Sequence, residues 1–192
     1  MSSINEIAEF WKSEPSNKNS LTQLQRYEKK NAPEEIKKFI SLGGGVKMGT
    51  TLERYARFRF KNLEKRKKGE GNTGHDQILK LDTDNTILIE QKSSGHWKAK
   101  ADEYKWQHIA DKHHWNMLLL CGIDYTEVKF WGMDRKTFDR LVLEGKIISQ
   151  GDKGGNSSQG MWTSYSKIKD SLIEIKSNEQ LIQFASSLQT SE

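Results

Sequence analysis

An uninterrupted apolar segment, NMLLLCGI at residues 116–123, constrains the fold of this chain most strongly. A strand with one face in water alternates apolar and polar side chains, whereas a strand covered on both faces is apolar along its whole length. Crossing a bilayer takes about 20 apolar residues, and the segment is much shorter. It therefore predicts a central strand of a sheet whose two faces are both covered by other layers.

The periodicity of the remaining chain predicts the elements that cover this sheet. The glycine-rich segment at residues 43–49 lacks the spacing of a phosphate-binding loop and is interpreted as a flexible connection. We predict one α/β domain with a mixed central β-sheet flanked by helices, since 192 residues suffice for one core. Helices are predicted within residues 1–40, from Thr50 to about Leu63, from Lys98 to His113, after a cap at Asp134, and after Ser177 or Asn178; strands are predicted at 75–81, 86–93, 125–133 and 172–175, and a basic loop at 65–74.

Charge and cysteine content narrow the classes of function. The formal net charge of +5 favours an acidic partner, of which nucleic acid is the commonest. A single cysteine, Cys121, excludes an internal disulfide framework and fits a reducing compartment. The first residues lack the basic start of a secretory signal, and no segment is long enough to span a membrane. We therefore expect an intracellular, cytoplasmic protein without a membrane partner.

The two strands predicted before the central one form a hairpin with an unusual set of charges. Its second strand starts with the apolar run Ile87–Ile89 and continues as Glu90, Gln91 and Lys92. Side chains alternate along a strand, so Glu90 and Lys92 share one face, while Gln91 points to the other and is given no catalytic role. A three-residue loop would place Asp76 opposite Glu90, and a loop of two or four residues would place it one position away.

A protein keeps two carboxylates side by side for a reason, which is usually a shared proton or a divalent cation. At about 4 Å and an effective dielectric constant of about 20, they repel each other by about 4 kcal/mol. Mg²⁺ suits a site with few carboxylates, because it keeps several waters and often binds substrate phosphate. A neighbouring lysine can orient the attacking water and offset charge on the phosphate. The hairpin therefore predicts a Mg²⁺ site at Asp76 and Glu90, with Lys92 acting on the water.

This motif resembles one found in a superfamily of nucleases. The sequence HD at residues 75–76, thirteen intervening residues and EQK at residues 90–92 resemble the PD-(D/E)XK nucleases, in particular the type II restriction endonucleases. The resemblance extends over about seventy residues, from Thr51 to Cys121, in the order helix, hairpin, helix and strand. The N-terminal helices and everything after Cys121 lie outside it.

The resemblance implies catalytic roles for four residues. Asp76, Glu90 and Lys92 correspond to the aspartate, the second acidic residue and the lysine of the motif, and Glu53 corresponds to an additional helix glutamate. His75 replaces the proline of the motif, at a position where the family is tolerant. The family also has an earlier first strand, and no segment before His75 is assigned to it.

The function that the resemblance implies is that of a type II restriction enzyme. Such an enzyme is a Mg²⁺-dependent, sequence-specific endonuclease that hydrolyses phosphodiester bonds of double-stranded DNA, and a homodimer matches the two-fold symmetry of a palindromic site. Residues 1–45 would form a helical N-terminal part, residues 50–132 the catalytic core, and residues 133–192 a C-terminal part with DNA-recognition elements. A repair, recombination or homing nuclease would share the motif. A non-catalytic DNA-binding module is the alternative from another class.

Structural explanations exist for the same residues. Glu90 and Lys92 can form a simple ion pair, which typically stabilises a protein by less than about 1 kcal/mol. Thr50 and Glu53 match a capping box, in which each side chain satisfies a backbone N–H of the first helical turn. The predicted DNA contacts are basic and polar residues that would reach phosphates or bases: Lys65, Arg66, Lys67, Lys68, Ser94, Asn156, Ser157, Ser158 and Lys167.

Overall fold

Seven α-helices and nine β-strands form in the part of the chain that the computed structural model describes, which is residues 4–12, 21–43, 45–66, 74–97, 103–150 and 160–189. None of the helices within these ranges has the length and hydrophobicity needed to cross a bilayer. The helices are α1 (Ile4–Lys12), α2 (Leu21–Lys29), α3 (Glu34–Ser41), α4 (Val46–Arg59), α5 (Arg135–Leu143), α6 (Tyr165–Ile168) and α7 (Asn178–Gln189). The strands are β1 (Leu63–Lys65), β2 (Gln77–Lys80), β3 (Thr86–Gly95), β4 (Lys105–Ile109), β5 (Met117–Ile123), β6 (Val128–Asp134), β7 (Ile148–Ser149), β8 (Met161–Ser164) and β9 (Ile173–Glu174).

The strands form two sheets. The larger has the order β1-β2-β3-β5-β6-β9, and the smaller has the order β4-β8-β7. In the larger sheet β3 and β5 are parallel and the other neighbours are antiparallel, so the sheet is mixed. All seven residues of β5 are buried, as expected for a central strand. The predicted α/β fold with a mixed central sheet and flanking helices is confirmed.

Both faces of the larger sheet are covered. On one face Ile89, Met117 and Leu119 join a core that contains residues of α1, α2, α3, α4 and α7. On the other face Leu118 and Leu120 join a second core, built from α5, α6 and the smaller sheet. The alternation of β5 between two apolar cores explains why its sequence carries no polar face.

Local signals set several element ends where the sequence predicts them. The Asp134 carboxylate accepts a hydrogen bond from the backbone N–H of Thr137 at 2.7 Å and caps α5. The Ser177 hydroxyl accepts one from the backbone N–H of Gln180 at 3.3 Å, before α7. Gly145 has a φ of 68°, a left-handed conformation that suits glycine at the end of a helix.

The helix predicted from Lys98 to His113 is wrong, because residues 105–109 form strand β4; residues 98–102 lie outside the described ranges. Trp106 and Ile109 are both fully buried, and the pairing of β4 with β8 shifts register between them. His108, with a φ of 57°, lies in this irregularity. The bulge places two apolar side chains three residues apart on one side of the strand, a spacing that imitates a helix.

Helix α4 begins at Val46 rather than at Thr50, so the glycine-rich segment is in part helical. Gly45, with a φ of 94°, precedes the first turn. Thr50 and Glu53 therefore both lie inside the helix, and the capping box predicted for them is wrong. The helix also ends before Leu63, and strand β1, which pairs with β2, includes Lys65 from the predicted loop.

Candidate active site

The β2–β3 hairpin has the register of a three-residue loop. Gln77 pairs with Ile89 and Lys80 pairs with Thr86, so one further step places Asp76 beside Glu90. The Asp76 backbone N–H donates to the Ile89 carbonyl at 2.8 Å. The three-residue loop therefore brings the two predicted carboxylates, Asp76 and Glu90, directly beside each other.

The turn of this hairpin is closed by a single aspartate. The Asp82 carboxylate accepts hydrogen bonds from the backbone N–H groups of Asp84 and Asn85, both at 2.9 Å. The Leu81 N–H also donates to the Asn85 carbonyl at 3.0 Å. Asp82 thus has the turn-forming role expected of aspartate at such a position.

Strand β3 continues beyond the end of β2 and borders a cavity. In the described residues β2 pairs with β3 only up to Ile89, whereas β5 accompanies β3 as far as Gly95. Residues 91–95 therefore pair with β5 and not with β2, and all five line a cavity of about 790 Å³. Asp76 and Lys92 also line this cavity.

Asp76, Glu90 and Lys92 converge at this end of the sheet. The Lys92 Nζ lies 2.6 Å from Glu90 Oε1 and 3.9 Å from Asp76 Oδ2. The Glu90 side chain is only 4 % exposed, whereas those of Lys92 and Asp76 are 22 % and 26 % exposed. The Asp76 carboxylate is fixed because its Oδ2 accepts a hydrogen bond from the Gln91 backbone N–H at 2.9 Å. Glu90 is thus the inner carboxylate, whereas Asp76 and Lys92 line the cavity.

The electrostatics of Glu90 reflect this burial. Removal from water raises the pKa of Glu90 from its ordinary value of 4.5 to about 7. The ammonium of Lys92 opposes the increase, and the negative charge of Asp76 adds to it. The free energy cost of a charged Glu90 is therefore relieved by any cation at this point.

Glu53 completes the group of predicted catalytic residues. It lies on α4 and lines the same cavity as Asp76 and Lys92. Burial raises the pKa of Glu53, the charge of Asp76 raises it further, and Arg57 and Lys92 lower it. All four residues that the sequence singles out are therefore close enough to influence one another.

Two of these carboxylates match the needs of Mg²⁺, which binds through one or two carboxylates and completes its shell with water and substrate. Within the ranges that the structure describes, no group of three or more His, Cys, Asp or Glu side chains is placed to hold a metal ion. The Lys92 ammonium lies near both Asp76 and Glu90, so this point of the site already stabilises positive charge. Asp76 and Glu90 are the residues that would hold the ion.

The predicted DNA contacts fall at different places. Lys65 is exposed on β1, and Arg66 donates to the His75 carbonyl at 3.3 Å, next to the hairpin. Ser94 lines the cavity, but its hydroxyl donates to the Gly95 carbonyl at 2.8 Å and accepts from the Lys105 N–H at 3.0 Å. The remaining predictions comprise one residue on α6 and five that lie outside the described ranges: Lys167 on α6, and Lys67, Lys68, Asn156, Ser157 and Ser158 outside.

An aromatic and basic surface lies at the rim of the cavity, and we call it the tryptophan–lysine surface: Trp97, Lys105, Trp162 and Lys167. The Lys105 Nζ lies 5.8 Å from the ring centroid of Trp97 and 5.9 Å from that of Trp162. The Lys167 Nζ lies 5.2 Å from the Trp162 centroid. Trp97 is 41 % exposed, and both Trp97 and Lys105 line the cavity. Lys167 is among the DNA contacts predicted from the sequence, whereas Lys105 falls in the segment mistaken for a helix.

Gln91 is a further residue that the sequence does not predict for the site. Strand alternation does place it on the face opposite Glu90, since Gln91 pairs with Leu119 and Glu90 pairs with Leu118. Gln91 nevertheless lines the same cavity as Asp76 and Lys92. Because β2 ends before this point, both faces of the end of β3 border one space.

Comparisons with known protein families, with curated protein sequences and with solved structures gave no match. The class of function is therefore inferred from the geometry and chemistry of the site.

Proposed function

We propose that this protein is a Mg²⁺-dependent endonuclease that hydrolyses phosphodiester bonds of double-stranded DNA. The observation that carries the proposal is the convergence of Asp76, Glu90 and Lys92 at the end of β3, beside an open cavity. A buried carboxylate, a second carboxylate and an ammonium within 4 Å form a set that suits phosphate hydrolysis with a divalent cation.

In this proposal Asp76 and Glu90 hold the cation, and Lys92 acts on the reacting groups. When bound, such a cation would supply positive charge against the phosphate oxygens and would make a water molecule more acidic. Lys92 donates from Nζ and orients that water toward phosphorus. Water adds to phosphorus, the bond to one bridging oxygen breaks, the water loses a proton to solvent, and the leaving oxygen takes one up. Glu53, on the α4 side of the cavity, assists through a water or a second cation.

The surroundings of the cavity support a polyanionic substrate. Arg26 and Lys105 line it together with the first turn of α4, whose N–H groups and dipole favour negative charge. Arg26 donates to the Trp97 carbonyl, which ties α2 to the tryptophan–lysine surface. The formal net charge of +5 also favours binding of a polyanion.

The order of elements supports membership of the PD-(D/E)XK superfamily in part. Helix α4 is followed by the antiparallel strands β1, β2 and β3 and then by β5, which is parallel to β3. Strand β1 takes the place of the earlier first strand that the resemblance requires. In place of the helix expected between β3 and β5, the described residues contain strand β4.

A type II restriction enzyme is the member of this class that we propose, acting as a homodimer on a palindromic site. Incubation of a circular plasmid of known sequence with the protein, in Mg²⁺ and in EDTA, tests the proposal. We expect discrete fragments with common ends in Mg²⁺ and intact plasmid in EDTA. A smear or branch-specific cutting would indicate a repair or recombination nuclease instead. Binding without cleavage would overturn the catalytic function and leave a DNA-binding module.

A further inference from the structure

A chain of buried amides connects α4 to the end of β3. The Arg57 guanidinium donates to Gln77 Oε1 at 2.9 Å, and Gln77 Nε2 donates to Gln91 Oε1. Gln77 is fully buried and Gln91 is 4 % exposed. The chain therefore runs from a helix, through β2, to the strand that carries Glu90 and Lys92.

The chemistry of these groups fixes the orientation of both amides. A guanidinium has only donors, so Gln77 must turn its oxygen to Arg57 and its NH₂ group to Gln91. Gln91 must then use its own oxygen to accept from Gln77. The NH₂ group of Gln91 therefore forms the end of this hydrogen-bonded chain. Among the described residues its nitrogen has no hydrogen-bond partner.

A buried donor without an acceptor is rare in a folded protein, and each one requires an explanation. Gln91 lines the cavity next to Asp76 and Lys92, with Glu53 on the α4 side. A molecule bound in this cavity is in a position to supply the acceptor that the described residues do not provide. An amide NH₂ group cannot bind a cation, so the cation of the site does not fulfil this role. Phosphate oxygens do, because they are acceptors and belong to the proposed substrate.

We propose that Gln91 Nε2 donates a hydrogen bond to a non-bridging oxygen of the phosphate that is cleaved. Gln91 is then a further catalytic residue, and Arg57 and Gln77 are positioning residues that fix the orientation of its amide. This inference rests on the proposed nuclease function. It adds a neutral donor between two charged residues, where a further cation would compete with Lys92 and a further carboxylate would repel the phosphate.

Two leucine variants separate this role from a purely structural one. Gln91→Leu removes both the donor and the bond to Gln77, whereas Gln77→Leu removes the same amide–amide bond and keeps the NH₂ group of Gln91. We expect similar losses of thermal stability in the two variants. The single-turnover rate of DNA cleavage falls by about 100-fold in Gln91→Leu, as for the loss of one oxyanion donor, and by less than about tenfold in Gln77→Leu.

A second measurement uses DNA with a single phosphorothioate of defined configuration at the mapped cleavage position. In the wild-type protein, we expect slower cleavage when sulfur replaces the non-bridging oxygen that Gln91 contacts than when it replaces the second non-bridging oxygen. We expect the ratio of the two rates to change in Gln91→Leu and to persist in Gln77→Leu. A structural role alone would leave this ratio unchanged in both variants.

The outcomes distinguish the inference from the function on which it rests. Equal rate losses in the two variants with an unchanged phosphorothioate ratio would overturn the role of Gln91 and leave the nuclease intact. Absence of cleavage by the wild-type protein would overturn both. If Gln91→Leu does not fold, Gln91→Met replaces it, since methionine has a similar length, carries no charge and lacks the donor; a wild-type rate in Gln91→Met would contradict the inference.

Discussion

The Lys92 Nζ lies 2.6 Å from Glu90 Oε1, and the carboxylate that it contacts is almost completely buried. Lys92 itself lines the cavity. This pair differs from a solvated ion pair on a strand edge, because burial raises the pKa of Glu90 to about 7 in spite of the adjacent ammonium. The charge of Glu90 should therefore make the stability of the free protein depend on pH, which an exposed ion pair would not do.

Replacement of Glu90 by glutamine should stabilise the cation-free protein at alkaline pH. The folded-state pKa of Glu90, about 7, lies above its ordinary value of 4.5, so between these values the folded protein holds a proton that the unfolded chain has released. This group therefore lowers stability as pH rises through that window. We expect Glu90→Gln to gain about 3 kcal/mol in unfolding free energy over wild type on going from pH 4.5 to pH 8.

Urea denaturation in EDTA at these two pH values measures the difference. Glu64→Gln is the matched control, because Glu64 is an exposed carboxylate paired with Lys80 at 2.9 Å on the neighbouring strands. That variant should show little dependence on pH. An equal effect of Glu90→Gln at both pH values would contradict the burial of the charge.

Replacement of Glu53 by glutamine should impair cleavage without loss of stability. Glu53 lies inside α4, and the nearby charge of Asp76 helps raise its pKa, so removing its charge relieves repulsion. We expect a fall of about tenfold in cleavage rate and no decrease in thermal stability. Thr50→Ala tests the rejected capping box: a true cap would cost about 1 kcal/mol, whereas a position in the helix interior should change stability by less than about 0.5 kcal/mol.

The tryptophan–lysine surface should contribute to DNA binding in two separable ways. Lys105→Ala should reduce the slope of log affinity against log salt by about one, as expected for loss of a phosphate contact. Trp97→Ala should weaken binding and leave that slope unchanged, because an uncharged ring neutralises no phosphate. Fluorescence anisotropy with a labelled duplex in EDTA measures both quantities.

Phe58→Ala is the control for the aromatic change. Phe58 is 51 % exposed on α4, packs against Phe10 and does not line the cavity. Its removal should leave DNA affinity unchanged. Equal weakening by Phe58→Ala and Trp97→Ala would show that the rim of the cavity is not the binding surface.

The parts of the fold that follow local rules are predictable from the sequence. The apolar run of β5 requires two covered faces, Asp134 caps α5 as its chemistry suggests, and Asp82 closes the hairpin turn. The strand pattern predicts Asp76 opposite Glu90 or one position away for a loop of two to four residues, and the observed register is that of three residues.

The missed parts depend on relations between distant segments. The bulge between Trp106 and Ile109 gives β4 a helix-like spacing, and its strand character comes from pairing with β8. Gln91 does face away from Glu90, and it lines the cavity at a point of β3 beyond its last pair with β2 in the described residues. A rule about alternation along one strand contains no information about where the neighbouring strand stops.

The central claim is that the group of Asp76, Glu90 and Lys92 hydrolyses DNA, and the most direct test measures cleavage and binding with the same duplex. Lys92→Met is compared with Lys80→Met, in which an exposed lysine of the same hairpin is changed. We predict that Lys92→Met loses cleavage in Mg²⁺ by about 1,000-fold or more and still binds the duplex in EDTA, while Lys80→Met cleaves like wild type. Cleavage by Lys92→Met at the wild-type rate would contradict the claim.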